Sequence, residues 1–343
     1  MKAIVLRGPN TPFELVQMPD PVAGPREAVA RVLTCGSGLT IQHIKAGRRQ
    51  AIFPRILGHE ITGMIVAVGT GVSELAVGDA VTAYYYLNCG HCRWCLANLE
   101  PLCVNAGGNV GSDCDGGYAE YIKLPAHIFI KLPKSLDYKA HPAEIGIITD
   151  ALATPYKVLR RAQIKGGETV AIFGAGGGVG IHQVMMAKWM NARVIAIDTA
   201  ADKFDACRRA GASAVVDPRT SDVVEALHDL THGAGADVVV DYVCTTATLE
   251  AGVKVLGRRG RLVVLGGAAQ PFQVPAREML LKEQAVLGSR YVTRVEILEA
   301  FDLVARGEVW PLVTDIRPLE EAEAIHERVE RGEVTGRAVL RIA

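Results

Sequence analysis

The chain has 343 residues, 49% of them hydrophobic and 22% charged, the make-up of an ordinary globular protein long enough for two domains. Lys plus Arg is 37 and Asp plus Glu is 37, a balance that argues against a surface built to coat a phosphate backbone or an anionic membrane. No apolar run reaches the ~18 residues of a membrane span, and the opening Met1–Arg7 is too soon interrupted by charge for a secretion signal, so the expected compartment is the cytoplasm. Residues 1 to about 150 read as short β runs cut by Gly and Pro, at 2–6, 28–33, 62–68 and 80–84. From about 152 the texture changes. A compact apolar strand at 168–173 leads through a Gly-rich turn into a helix ending near Met190, then a strand at 193–197. The alternation continues with a helix at 203–210, strand 214–216, helix 222–230, strand 236–240, helix 248–256 and strand 261–265. Strands and helices alternating at these lengths predict βαβ units and a parallel sheet covered on both faces. Beyond about 293 come another helix, a turn at Pro311-Leu312-Val313 and a final strand at 338–342. This tail is expected to pack back on the first region, since about fifty residues make a poor domain alone. The expected fold class is therefore α/β, with a β-rich domain over 1–151 plus 293–343 and a doubly wound domain over 152–292.

The strongest local signal is Cys89-x2-Cys92-x2-Cys95-x7-Cys103. In a reducing compartment clustered cysteines bind metal rather than pair as disulfides. Four thiolates on one loop close a tetrahedral zinc shell with no open position, which is a structural site, and Arg93 within the loop offsets part of its negative charge. The second signal runs from strand into helix: Gly174, Ala175, Gly176, Gly177, Gly178, Val179 and Gly180. Such glycines permit a tight turn and let the backbone approach a pyrophosphate seated on the helix N-terminus. Asp198 ends the following strand, where an acid accepts hydrogen bonds from the adenosine ribose hydroxyls. A carboxylate there repels a 2′-phosphate. The first basic residue after it is Lys203, one helical turn further on and within reach of the ribose. NAD is expected over NADP.

Three dispersed pieces, Cys35, Gly58-His59-Glu60 and Thr149-Asp150, are each unremarkable alone. Together with Cys35-Gly36-Ser37, Val77-Gly78-Asp79, Asp115-Gly116-Gly117-Tyr118-Ala119-Glu120-Tyr121, the four-cysteine loop, the Gly-rich turn and Gly336-Arg337-Ala338-Val339-Leu340, they resemble the zinc-containing medium-chain alcohol dehydrogenases across essentially the whole chain. The resemblance implies a GroES-like catalytic domain, completed by the C-terminal tail, and a Rossmann domain. It implies a second, catalytic zinc on Cys35, His59 and Asp150, the last standing where the family usually has Cys. Glu60 matches the acid beside that zinc, and Arg337 is carried over as a cofactor contact. The zinc polarises the oxygen of an alcohol or carbonyl while hydride passes to or from the nicotinamide.

Ser37 matches the family's relay hydroxyl. The relay histidine should lie five residues after the Cys, where this chain has Thr40; His43 regains the place if three residues are inserted after Cys35. Gly38 replaces the family's usual Asp. Tyr85 matches a pocket-narrowing position, and Tyr84, Tyr86, Phe53 and Ile52 are candidates to line an apolar channel for primary or secondary alcohols. No residue argues for a phosphate- or sugar-specific site. Relatives of this kind are dimers or homotetramers, with the edge near Ala285–Tyr291 as the candidate pairing surface. The rival readings are a zinc-free quinone or enoyl reductase of the same fold, and a zinc-dependent binding module centred on the four-cysteine loop.

Overall fold

Residues 1–266, 268 and 270–343 are described by a computed structural model of the chain. An 11-residue strand, Glu27–Ser37, is the spine of the first unit. Its sequence is rich in small and β-branched residues, and Ala28, Val29, Ala30 and Val32 are buried. One edge pairs antiparallel with Ile61–Val68. The other edge is shared end to end: Tyr121–Pro125 covers Glu27–Arg31, and Arg337–Arg341 covers Thr34–Ser37. Val313–Pro318 runs parallel beyond Arg337–Arg341, while Ala80–Ala83 and Phe129–Lys131 extend the far side. The tail thus enters this sheet as two strands. The unit comprises Met1–Ala153 and Val292–Ala343.

Three details depart from expectation. Val313 begins a strand rather than closing a turn, because its neighbour is the parallel strand at Arg337–Arg341. A helix at Ala322–Glu330 follows, with Ala322, Ile325, His326 and Val329 buried. The early region, read as short β runs, also holds the short helix Leu39–Lys45, whose buried face is Ile41, Gln42 and Ile44. At seven residues it is too short for periodicity to register.

The second unit, Thr154–Tyr291, is the doubly wound one. Six strands run in the order 212–216, 193–197, 169–173, 236–241, 256–264, 285–288, and every adjacent pair is parallel. That is the Rossmann order, reversing direction at the first strand. Val170, Ala171, Ile172, Val194, Ile195 and Ala196 are all 0% exposed, as strands covered on both faces require. Asp222, expected as the first helical residue, instead caps the helix Val223–Leu230, its carboxylate accepting from the Glu225 amide at 3.0 Å. Among the described residues no helix is long and apolar enough to cross a membrane.

Candidate active site

Sheet register assembles the first cluster. Cys35 lies opposite Ile61 on one side and Leu340 on the other. His59 and Glu60 immediately precede Ile61, and Arg337 begins the strand on the opposite edge, so all four converge at the end of the spine. Asp150 arrives by a separate route. The hydroxyls of Thr34 and Thr62 both donate to the Pro142 carbonyl, at 2.8 and 2.7 Å, and pin the short helix Pro142–Gly146 across two strands. A single 3₁₀ turn, Ile147–Thr149, then delivers Asp150.

His59 Nε2 lies 3.2 Å from Asp150 Oδ2. Donors bound to one zinc at about 2.1 Å in a tetrahedron stand about 3.4 Å apart, so this pair has the spacing of two ligands to one ion. Thiol, imidazole and carboxylate are also the donor chemistry zinc takes. Cys35 completes the set in kind but not in closure: its sulfur faces the Gly36 carbonyl at 3.8 Å. Among the described residues, the one group of three or more such side chains with ligand atoms all within 4.8 Å is the four-cysteine loop. Burial, and next the neighbouring Glu60, push the Cys35 thiol well above its usual range.

Glu60 is held by Arg337, whose Nη2 and Nε donate to its Oε1 at 2.6 and 3.2 Å, and by the Ala151 amide at 3.2 Å. Arg337 Nη2 also lies 3.6 Å from Asp150 Oδ2. Arg337, expected as a cofactor contact, therefore makes its bonds here to the two acids. This accounts for Gly36 and Gly38 at the start of the loop. A Cβ on Gly36 would lie 2.1 Å from Glu60 Oε2, and one on Gly38 would lie 2.2 Å from Arg337 Nη1. The buried pair occupies the space that larger residues would need.

The ring of Tyr85 packs on His59 with centroids 4.5 Å apart, and its hydroxyl accepts from Arg49 Nη2 at 2.7 Å. Tyr84, by contrast, is fully buried and donates to the Val292 carbonyl at 2.8 Å, which makes it a core residue. Ser37 is buried, and its Oγ lies 2.6 Å from Tyr118 Oη. His43 sits on the helix Leu39–Lys45, its Nδ1 accepting from Arg48 Nε at 2.9 Å, so the neutral ring carries its proton on Nε2. Burial, and then Arg48, hold its pKa below the ordinary histidine value. No hydrogen bond links Ser37 to His43 in these contacts; the partner of Ser37 is Tyr118. Tyr118, His326, Gln42 and Arg49 were absent from the sequence-based candidates. Only Tyr118 had a signal, as part of Gly116-Gly117-Tyr118.

The four-cysteine loop folds as a metal shell. Sulfur–sulfur separations are 3.9 Å for Cys89–Cys95, 3.6 Å for Cys92–Cys95 and 3.9 Å for Cys92–Cys103. Four sulfurs about 2.3 Å from a tetrahedral zinc stand about 3.8 Å apart, so the donors fit that ion. Backbone amides of Cys89 and Cys92 point at the sulfurs of Cys103 and Cys89, both at 3.4 Å. Hydrogen bonds from backbone amides pull the Cys92 thiol down, toward the thiolate a metal needs, while burial pushes its neighbour Cys95 up.

In the second unit the Gly-rich turn joins strand Thr169–Phe173 to helix Gly180–Trp189. Gly174 has φ +73°, a conformation that disfavours other residues. A Cβ on Gly180 would fall 2.0 Å from the Gly174 carbonyl oxygen, so only glycine lets the helix begin this close to the strand. Gly176, Gly177, Gly178 and Val179 complete the turn between them. Asp198 sits beside it: Oδ2 accepts from the Gly176 amide at 2.8 Å and Oδ1 from the Ala200 amide at 3.0 Å. Lys203 is buried against Gly176, where a Cβ would lie 2.7 Å from its own. The acid and the glycine turn are thus one hydrogen-bonded piece.

Comparison with known proteins matches both halves. Residues 24–134 fit the family model for the alcohol dehydrogenase GroES-like domain, and residues 178–306 that for zinc-binding dehydrogenases. An alcohol dehydrogenase of Geobacillus stearothermophilus is 33% identical over 345 residues, covering 100% of both chains. The chain belongs to the zinc-containing medium-chain alcohol dehydrogenases. Solved relatives agree. The alcohol dehydrogenase of Aeropyrum pernix superposes with a TM-score of 0.91 at 34% identity, covering 99% of this chain and 100% of that one. The acetophenone reductase of Geotrichum candidum, solved in complex with NAD, superposes at 0.87 with 30% identity, covering 99% and 96%. As a member of this family the chain is an oxidoreductase acting on alcohols, with NAD and zinc as cofactors.

Proposed function

We propose that the chain interconverts apolar primary or secondary alcohols, aromatic ones included, with their aldehydes or ketones, using NAD. The observation that carries this reading is the His59–Asp150 pair at 3.2 Å beneath the Tyr85 ring. A metal-ligand pair roofed by an aromatic face suits a carbon substituent beside a reacting oxygen. His59, Asp150 and Cys35 would hold the catalytic zinc, the Cys35 thiol turning from the Gly36 carbonyl to do so. Zinc there supplies a Lewis acid for the substrate oxygen, and NAD the hydride acceptor.

The remaining roles belong to the chain. Glu60, neutralised by Arg337, sets the charge behind the ligands without adding net negative charge. Tyr85, fixed by Arg49, narrows the pocket. Ser37 accepts the substrate hydroxyl, and His43 is the candidate for passing the proton on. Asp198 binds the adenosine ribose and the Gly174–Gly180 turn the pyrophosphate. A homo-oligomer, dimer or tetramer, would pair through the outer edge of the terminal strand Ala285–Gly288, and the cytoplasm would keep all eight thiols reduced.

The test is a steady-state screen of alcohols and carbonyls with NAD(H), run beside elemental analysis. Two zinc ions per chain and turnover of apolar alcohols are expected. Full activity with one zinc per chain would overturn the catalytic role of Cys35, His59 and Asp150.

A further inference from the structure

A buried file of polar groups runs from Ser37 to the surface, and each member has only one way to satisfy the next. At the outer end Arg48 donates to both carboxylate oxygens of Glu330, at 2.6 Å each. These bonds hold the Glu330 pKa down at about 2, and the Gln42 side chain adds a further stabilising hydrogen bond. An anion takes such a bond only from the N–H end of an amide. The other end of Gln42, its carbonyl Oε1, faces His326 Nδ1 at 3.2 Å, so Nδ1 carries the hydrogen. His326 is 0% exposed, and burial depresses its pKa to about 3. A neutral ring with hydrogen on Nδ1 leaves Nε2 as an acceptor. Tyr118 Oη, 2.8 Å away, therefore donates to it. The Tyr118 hydrogen being committed, the 2.6 Å contact with Ser37 Oγ is made by the Ser37 hydrogen. Reversing any link sets two lone pairs face to face at Gln42 or places an imidazolium in the core.

We propose that His326, acting through Tyr118, is a positioning residue that fixes the resting polarity of Ser37, so that Ser37 Oγ first meets a ligand as a hydrogen-bond acceptor. The site then distinguishes a ligand bringing an O–H from one bringing a bare carbonyl oxygen. The file orients and does not conduct, because the Gln42 amide oxygen is no proton acceptor at neutral pH. The inference rests on the reading above that puts Ser37 beside the reacting oxygen.

The experiment compares two competitive ligands of the zinc-loaded enzyme, each bound with NADH: a tertiary alcohol, which cannot be oxidised and brings an O–H, and an N,N-dimethylamide, which brings only an acceptor. The variants are His326→Phe, which frees the Tyr118 hydrogen to turn toward Ser37, Tyr118→Phe, which removes the acceptor for the Ser37 hydrogen, and Ser37→Ala. The ratio of the two dissociation constants is expected to move about tenfold toward the amide in His326→Phe and Tyr118→Phe, the scale of one hydrogen bond gained or lost. Should His326→Phe fail to fold, Tyr118→Phe gives the same reading on its own. Equal weakening of both ligands, or an unchanged ratio, overturns the proposal. In Ser37→Ala tertiary-alcohol binding should weaken; if neither ligand responds there, Ser37 is not at the reacting oxygen and the underlying reading fails instead.

Discussion

Asp198 accepts from two backbone amides, one from the glycine turn and one from the segment that follows its strand. Its carboxylate accordingly sets the shape of the glycine turn and, on the proposed reading, the charge that would face the ribose. Asp198→Ala should weaken NAD binding and relieve repulsion of a 2′-phosphate, narrowing the preference between the two dinucleotides in kcat/KM. Wild type turning over NADP as efficiently as NAD would contradict the charge argument. His43 poses a sharper question. Its Nδ1 is occupied by Arg48, so it can take a proton from Ser37 only after that bond opens. If it still completes the relay, His43→Ala should slow alcohol oxidation by about tenfold, most below pH ~7, where solvent hydroxide is scarce. A kcat profile against pH superimposable on wild type would end the relay before His43, leaving Thr40 or water as the exit.

Elements decide how much of this was legible beforehand. The doubly wound strands announced themselves because burial on both faces demands continuous apolar runs. Arg193–Ile197 was read to the residue. The four cysteines were legible because one loop carries the whole shell. His326 was not, since its partner Tyr118 lies 208 residues away and its place on Ala322–Glu330 looks like any buried helical position. Arg337 was read by resemblance, and its bonds to Glu60 and Asp150 depend on a register no local pattern encodes. Two element-level predictions follow from this difference. Cys92→Ala should lose the structural zinc and lower Tm, because binding free energy at such a site is folding free energy; zinc analysis of the folded fraction checks it. The helix carrying His326 should make the catalytic unit acid-sensitive. The unfolded chain takes up a proton near 6.5 and the folded one only near 3, so this contribution is intact above pH 6.5 and drains away as pH falls toward 3. The full effect is on the order of 5 kcal/mol. His326→Gln should flatten the dependence of unfolding free energy on pH over that window; an unchanged slope would show that the ring is protonated in the native state.

At the scale of the molecule, the GroES-like unit is made from two stretches of chain with the Rossmann unit inserted between them. The strand Arg337–Arg341 pairs along Thr34–Ser37 on one side and with Val313–Pro318 on the other. It also supplies Arg337, the sole cation bonded to Glu60 among the described contacts. The order of synthesis therefore matters. While a ribosome is still extending the chain, residues 154–291 emerge as one uninterrupted segment and are free to fold first. The N-terminal sheet must wait through roughly two hundred further residues, with the edge of its spine at Thr34–Ser37 bare and Glu60 uncompensated, until the strand that closes it is made. A message truncated just before Arg337 would yield an intact Rossmann unit joined to a half-built partner, its open strand edge a template for pairing with other chains.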